Sequence, residues 1–478
     1  MPQLNYASID QTVLNTLTPP KKYYWAIVAV LVLGVLVGAA CWAYQIFIGI
    51  GAGGQNNPVA WGTYLINFVF WVGIAHSGTL ISAILHLFRA GWRNPIARAA
   101  ETMTVFAVCI AGLFPFIHLG RVWQVMYMIP YPNQRLLWPN FLSPLMFDVI
   151  AISTYLTVSS LFWYTGLLPD LAAIRDRSEG LRKKIFTFLS MGWTGAHEQW
   201  RHYTRGYLFF AALATPLVIS VHSVVSWDFA LGIVPGWHTT IFAPYFVAGA
   251  IHSGLAMVLT LMIPLRKIFN YQKIITKEVL ENVAKTIVFT GLIVGFAYAT
   301  EFFIVWYSHN AVEIEQFRWR AFGDYRWGFY FMVLCNTLIP LLFLFKKFRT
   351  SIASLFIISL IVNFGMWWER FVIIIGGVGL KDDEFHYFRE RIEEAGSKSR
   401  TIMFVHTHRD AIVEGLMVPD LALAVGEQFA LQGKSVFVLL SDMTQWSDYL
   451  RQVANAQDQI PANQGYPGDL YSQLASRY

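Results

Sequence analysis

The sequence has 478 residues, of which 56% are apolar and only 13% are charged, and its formal net charge is +6. Soluble domains carry about 25% charged residues, so this composition excludes an ordinary soluble protein and indicates a multi-pass membrane protein. The positive charge does not indicate nucleic-acid binding, because the basic residues fall between hydrophobic segments. Cys41, Cys109 and Cys335 lie within apolar segments and have the spacing of neither a metal site nor a disulfide framework.

Nine apolar segments follow one another along the chain, and each is near or above the length of about 20 residues that crosses a hydrocarbon core. We number them span 1 to span 9. They cover residues 24–48, 60–88, 99–118, 144–168, 207–230, 239–264, 285–308, 327–345 and 351–376. The predicted fold class is an all-α polytopic membrane protein. Residues 1–22 are polar and lead directly into span 1, so no cleavable signal is expected.

The loops between the spans alternate in charge. One set contains 20 Lys and Arg, and it comprises residues 1–23, 89–98, 169–206, 265–285 and 346–350. The opposite set contains five Lys and Arg, and it comprises residues 49–59, 119–143, 231–238 and 309–326. Because basic loops stay in the cytoplasm, the N-terminal segment 1–23 and the basic loop 169–206 are predicted to be cytoplasmic.

A short motif occurs twice in the membrane region. His76-Ser77-Gly78 lies in span 2 and His252-Ser253-Gly254 lies in span 6, 176 residues further on. An offset of four helices predicts two four-helix bundles in a parallel repeat, residues 24–168 and 207–345, followed by a ninth helix within 346–378. The alternative is that His-Ser-Gly recurs by chance in a chain with 12 His and 35 Gly.

Three polar residues lie where spans 3 and 4 reach the outer side. His118 ends span 3, Arg121 follows it, and Asp148 opens span 4. Charged groups at this depth are costly and usually functional, and a neutral imidazole together with a carboxylate can accept the protons of a bound hydroxyl. Such proton acceptance is what quinol oxidation requires of a protein. The structural alternative is an Asp148–Arg121 ion pair, with His118 as a hydrogen-bonded residue at the interface.

Further polar side chains lie deeper in the spans, and the costliest of them is Glu301. Because buried carboxylates tend to exchange protons with their neighbours, these residues are a candidate proton route. The route consists of His76, His222, Asp228, His252, Glu301 and Asn336. The alternative is a set of interhelical hydrogen bonds that only fixes packing. Glu369 and Arg370 are adjacent in span 9, so each is expected to pair with another helix.

No haem site is predicted. Membrane haems need two histidines that face each other across helices, and the histidines here do not form two helices that each carry a regularly spaced pair. The sequence also lacks the Cys-x-x-Cys-His motif of covalent haem. We therefore expect neither haem nor metal in this chain.

Residues 1–378 resemble the NrfD/PsrC family of membrane quinone-reactive subunits, and most closely the ActC subunits of bacterial alternative complex III. The resemblance rests on the span layout, on both His-Ser-Gly motifs and on four further pieces of sequence: His118-Leu119-Gly120-Arg121, Asp148, His222 through Asp228, and Trp367-Trp368-Glu369-Arg370. It implies an inner-membrane subunit that binds quinol, usually menaquinol, near the outer face. His118 and Asp148 would line the quinol pocket and accept its protons, with Arg121 beside them.

The resemblance also implies partners that hold the redox centres. These are a periplasmic iron–sulfur subunit, c-type cytochrome subunits, a second NrfD-like membrane subunit and a terminal oxidase or soluble carrier. Activity would belong to the complex rather than to this chain alone, and proton translocation is the further activity for which the deeper polar residues are candidates. We also expect contact with membrane lipids and no binding of nucleic acid.

Two other functions fit parts of the pattern. Repeated bundles with charges near the midplane also describe secondary transporters, but here the strongest acid–base pair lies at the outer interface and no span looks interrupted at its middle. A purely structural membrane anchor is the second alternative, and it would leave Glu301 and Asp148 without a purpose.

The composition changes after Gly379. Residues 381–396 are charged and amphipathic, and residues 401–405 and 435–440 are predicted to be short strands with a helix between them, which is typical of a soluble α/β fragment. The segment resembles part of the B subunit of a V-type rotary ATPase, including Gly465-Tyr466-Pro467-Gly468. The chain has no Gly-x-x-x-x-Gly-Lys-Ser/Thr phosphate loop, so we expect no ATP binding.

Residues 379–478 stand where the resembled family has its tenth helix. We interpret them as a joined segment that replaces this helix, with a natural fusion as the alternative, and we assign them no function. Nine spans from a cytoplasmic N-terminus would also put this segment outside, whereas the heads of rotary ATPases are cytoplasmic.

Overall fold

The computed structural model describes residues 22–53, 62–130, 144–232, 236–237, 239–323, 326–378, 392, 396–406, 411–440, 443–457 and 466–477. The chain divides into two compact units, Met1–Val378 and Gly379–Tyr478. The first contains the apolar helices, and the second contains the soluble-like segment.

Each of the nine predicted spans is a helix in the described part of the chain, which confirms the all-α polytopic fold. Their bounds are Lys22–Ile48, Gly62–Leu87, Gly91–His118, Met146–Asp176, His197–Ala230, Phe242–Ile268, Lys277–Ser308, Arg326–Leu344 and Ile352–Gly376. Shorter helices cover Val122–Met128, Gly180–Leu189 and Ala311–Phe322. Spans 2 and 8 each contain one π-helical turn, Leu80–Ile84 and Leu334–Leu338.

The helix ends fall into two sets. At one end, Gln45 of span 1 donates a hydrogen bond from Nε2 to the carbonyl oxygen of Ile117 in span 3 over 3.1 Å. At the other, Arg349 before span 9 pairs with Glu281 at the start of span 7 over 2.8 Å. We call the first set the His118 end and the second set the basic end.

Two four-helix bundles are present, but they group the spans differently from the prediction. Spans 2 to 5 pack in a closed ring, and spans 6 to 9 pack in a second ring. Span 1 is the additional helix, because Gln45 is the only buried residue among its described ones. The offset of four helices is the same whichever span opens a bundle, so the repeat alone could not fix the grouping. We call these rings the first and second bundle.

The two His-Ser-Gly motifs lie where the bundles meet, because spans 2 and 6 pack against each other. A Cβ added to Gly254 would overlap the side chain of Ser77 and lie 2.9 Å from the carbonyl oxygen of Ile74. One turn earlier, a Cβ on Gly73 would lie 3.4 Å from Ser253 Oγ. Small residues thus bring these two helices close together, as they do in other membrane interfaces.

We expect Gly254→Ala to destabilise the protein, because the new methyl group must displace Ser77 and the backbone of span 2. Overpacking of this kind costs about 1–3 kcal/mol. Thermal unfolding of the purified protein measures the effect. Gly38→Ala in span 1 is the matched control, since a Cβ there would have no atom within 4 Å. Equal midpoints for the two variants would contradict this account of the interface.

The second unit contains three α-helices among its described residues, Ile412–Leu431, Met443–Ala456 and Leu470–Ala475. The two strands that the sequence predicts at 401–405 and 435–440 are wrong, since the described backbone there is irregular. Phe437 is 87% exposed and Leu439 is 69% exposed. A strand needs a neighbour for its backbone groups, and these two segments lack the other strands of the expected sheet. The amphipathic stretch 381–396 lies largely outside the described residues.

Candidate functional site

Two carboxyl groups face each other at the His118 end of the first bundle. Asp148 is in the first turns of span 4 and is only 5% exposed, and Asp228 is in the last turn of span 5. Their carboxyl groups are close enough to interact electrostatically. Asp148 Oδ1 and both carboxyl oxygens of Asp228 are buried and have no hydrogen-bond partner among the described residues, so two negative charges there would repel each other without compensation. A proton shared by the pair would remove this repulsion and leave at most one negative charge.

His118 lies at the same end of the same bundle, where it is 7% exposed and hydrogen-bonds to the backbone of Phe114. The helix Val122–Met128 that follows it contacts both span 3 and span 4. Three helix ends, those of spans 3, 4 and 5, thus bring one imidazole and two carboxyl groups to one region. Pro115, one turn before His118, lies inside the helix.

Arg121 does not join the buried carboxyl pair. Its side chain is exposed, and the chain reaches it through Gly120, whose φ of +70° turns the backbone away from the helix. Within the described residues, Asp148 has Asp228 as its ionisable neighbour, and the Asp148–Arg121 ion pair of the structural alternative is not observed. Arg121 therefore remains a candidate only for binding a group at the protein surface.

A pair of histidines occupies the interior of the first bundle. Nδ1 of His76 in span 2 lies 2.9 Å from Nδ1 of His222 in span 5, and both rings are buried. One nitrogen must donate and the other accept, so the pair shares a proton. The Nε2 atoms of both rings have no hydrogen-bond partner among the described residues.

A buried glutamate at the basic end of the first bundle did not emerge from the sequence. Glu101 of span 3 is 3% exposed, accepts a hydrogen bond from Tyr207 and pairs with Arg98 over 2.8 Å. It borders a small pocket that is also lined by Phe162 and by the hydroxyl-bearing residues Thr79, Ser82, Thr104 and Ser159. The position of Glu101 three residues after Arg98 resembles a surface ion pair. Only the packing of span 5 shows that the carboxylate is buried.

The carboxylates of the second bundle are neutralised by arginine. Glu301 pairs with Arg320 of the helix Ala311–Phe322 over 2.9 Å, and both side chains are buried. Glu369 pairs with Arg370, its neighbour in span 9, and it also accepts hydrogen bonds from Tyr298 and Asn336. The expectation that Glu369 and Arg370 each pair with a different helix is therefore wrong for Arg370, whose long side chain returns to Glu369.

The candidate proton route is divided between the bundles. His76, His222 and Asp228 lie in the first bundle, together with His118 and Asp148. In the second bundle, the side chains of His252, Glu301 and Asn336 have separate partners in the described structure. His252 Nδ1 lies 2.9 Å from Thr290 Oγ1, Glu301 pairs with Arg320, and Asn336 donates to Glu369. The assignment of Asp228 to the second bundle followed from the wrong grouping of the spans.

Comparison with known proteins separates the chain in the same two parts. The family model described as "Polysulphide reductase, NrfD" matches residues 51–380. The model of the ATP synthase alpha/beta family, nucleotide-binding domain, matches residues 350–478. Span 9 thus lies within both matches.

The curated relatives are similar to the C-terminal part. The V-type ATP synthase beta chain 1 of Treponema pallidum is 56% identical over 120 residues, which are 25% of this chain and 28% of that protein. The beta chain of Protochlamydia amoebophila is 53% identical over 107 residues, which are 22% of this chain and 24% of that protein. The chain therefore spans only about a quarter of the length of these relatives.

The NrfD match covers more than half of the chain and includes both His-Ser-Gly motifs, His118, Asp148 and the second bundle. Among the described residues, no group of three or more His, Cys, Asp or Glu side chains is arranged to hold a metal ion. The protein belongs to the NrfD family, whose members are quinone-binding membrane subunits of redox enzyme complexes that work with iron–sulfur subunits.

Proposed function

We propose that this chain is the quinol-oxidising membrane subunit of a respiratory complex of the alternative complex III type, with its quinol site at the His118 end of the first bundle. The observation that carries the proposal is the buried Asp148–Asp228 pair at the bundle end that also holds His118. A carboxyl pair with one negative charge can accept one proton. The imidazole of His118 can accept another.

The protons and electrons of quinol oxidation are then both accounted for. A quinol that is oxidised to the quinone releases two protons and two electrons. One proton goes to the Asp148–Asp228 pair and the other goes to His118, while the electrons pass to an iron–sulfur cluster of a partner subunit. Menaquinol is the proposed donor. The partner set is a periplasmic iron–sulfur subunit, c-type cytochromes, a second NrfD-like subunit and a terminal oxidase.

The orientation is part of the same proposal. The basic end faces the cytoplasm of a bacterium, in line with the excess of Lys and Arg in its loops. The His118 end then faces the periplasm, where protons from the quinol are released and where the iron–sulfur subunit docks. The N-terminus is cytoplasmic in this arrangement.

Photoaffinity labelling tests the location of the quinol site. The purified complex is irradiated with an azido-substituted menaquinone, and the labelled peptides are identified by mass spectrometry. We expect labels in peptides that contain His118 or Asp148, and we expect excess menaquinol to suppress them. Labels confined to spans 6 to 9, with the first bundle unlabelled, would overturn the proposed site.

The first bundle also supports a proton route between its two ends. Glu101 and its pocket lie at the basic end, the His76–His222 pair lies inside, and the Asp148–Asp228 pair lies at the His118 end. Histidines that share a proton and keep free Nε2 atoms can pass protons along a chain of bound water. The second bundle is the weaker candidate, since its carboxylates are held by arginine.

We expect His76→Asn/His222→Asn to uncouple proton translocation from electron transfer. An asparagine amide takes the place of Nδ1 and preserves a hydrogen bond, but it does not titrate near neutral pH. Quinol oxidation in proteoliposomes should stay within about threefold of the wild-type rate, because the change is distant from the acceptor groups. The number of protons moved per electron should fall. The matched variant is His252→Asn in the second bundle. A fall in protons moved per electron in His252→Asn alone would contradict a proton route through the first bundle.

A further inference from the structure

A short helix at the basic end exposes an unusual amount of apolar surface. Gly180–Leu189 begins four residues after span 4 and lies outside both bundles. Leu181 is 74% exposed, Ile185 is 49% exposed and Phe188 is 81% exposed. Residues spaced by four and three share one face of a helix, so these side chains form a continuous apolar stripe. Met191, 73% exposed, extends it beyond the helix end.

The helix is held firmly in place, so its exposed stripe is not the result of a loose segment. Arg175 near the end of span 4 donates from Nη1 to Ser190 Oγ over 3.1 Å and to the carbonyl oxygen of Trp193 over 2.8 Å. The hydroxyl of Tyr164 donates to the carbonyl oxygen of Leu189 over 2.6 Å. These bonds fix the C-terminal end of the helix against span 4.

Basic side chains border the apolar stripe. Arg182 lies on one side of Leu181, Lys184 lies on the other side, and Lys183 lies on the face away from the stripe; all three are exposed. Long basic side chains can bury their carbon chains beside apolar groups and still reach a charged surface. An apolar stripe between basic flanks is typical of helices that lie in the membrane interface.

We propose that the helix Gly180–Leu189 is an anionic-phospholipid site of this protein. Leu181, Ile185 and Phe188 insert between the acyl chains near the headgroups. Arg182 and Lys184, which border the stripe, bind the phosphate groups of anionic lipids in the leaflet at the basic end, and Lys183 adds positive charge near the same surface. The attachment through Arg175 then ties the end of span 4, whose other end carries Asp148, to the lipid surface.

Hydrogen exchange in nanodiscs tests the site. The purified complex is inserted into discs of phosphatidylcholine alone or of phosphatidylcholine with phosphatidylglycerol, and exchange is followed in peptides that cover residues 180–190. We expect exchange to be at least about fivefold slower in the anionic discs, since each basic residue near an anionic surface contributes about fivefold in binding. Replacing Arg182, Lys183 and Lys184 by Gln should remove the difference between the discs.

The matched control replaces three exposed lysines of another loop at the same end by Gln: Lys267, Lys273 and Lys277. It removes the same charge and should preserve the protection of residues 180–190. Leu181→Asn/Phe188→Asn should accelerate exchange in both kinds of disc, and because both side chains are exposed the fold should persist. Equal exchange in the two discs for the wild-type complex overturns the proposal. Equal protection in detergent without lipid would do the same, since it indicates a protein partner on the stripe.

Discussion

Replacing Asp148 by asparagine is expected to lower quinol oxidation by the purified complex by about 100-fold or more, with the complex still assembled. A positioned proton acceptor contributes about 10²–10⁴-fold to a rate. The new amide would donate a hydrogen bond to Asp228 and stabilise its negative charge, which makes the remaining carboxylate a poorer proton acceptor. Because the two carboxyl groups act as one acceptor, Asp148→Asn/Asp228→Asn should be little slower than the single variant.

Asp176→Asn is the matched control for this experiment. Asp176 lies at the opposite end of the same span, and its side chain is 63% exposed. Its variant should oxidise quinol at the wild-type rate. Steady-state turnover with a menaquinol analogue, normalised to the haem content of the complex, gives the comparison. Near-normal turnover in both Asp148→Asn and His118→Ala would exclude the proposed acceptor groups.

The membrane architecture could be predicted because hydropathy is local. Each span is a continuous apolar segment of sufficient length, and the positions of His118 and Asp148 at helix ends follow directly from the span boundaries. Packing of the helices is not local. The same repeat offset allows spans 1 to 4 or spans 2 to 5 to form a bundle, and only the exposure of span 1 decides between them.

Because the sequence predicted the wrong grouping of the spans, it did not predict the contacts of Asp228 and His222 within the first bundle. With span 5 in the first bundle, Asp228 faces Asp148 and His222 faces His76. Spans 4 and 5 run in opposite directions, so the start of one and the end of the other had to lie at one depth. Glu101 was missed for a different reason: its burial depends on Tyr207, which is distant in sequence.

We expect Arg370→Gln to destabilise the protein by about 3–5 kcal/mol, which is the usual effect of removing one partner of a buried ion pair. Arg370 of span 9 is 3% exposed, and a Cβ on Gly73 of span 2, in the first bundle, would lie 3.5 Å from its Nη2. Its charge therefore lies at the junction between the bundles. Without it, Glu369 would keep a buried negative charge beside Tyr298 and Asn336, with no cation in contact.

The double variant Glu369→Gln/Arg370→Gln separates a structural role from a role in proton transfer. Both charges are then absent, so most of the lost stability should return. Arg201→Gln is the control, because the Arg201–Glu198 pair is 49% and 61% exposed and such pairs contribute about 0–1 kcal/mol. Thermal inactivation measures stability, and turnover per assembled complex measures function. If the double variant regains stability and keeps its turnover and its proton-to-electron ratio, Glu369 and Arg370 hold the bundles together. A stable double variant that oxidises quinol without moving protons would instead assign the route to the second bundle.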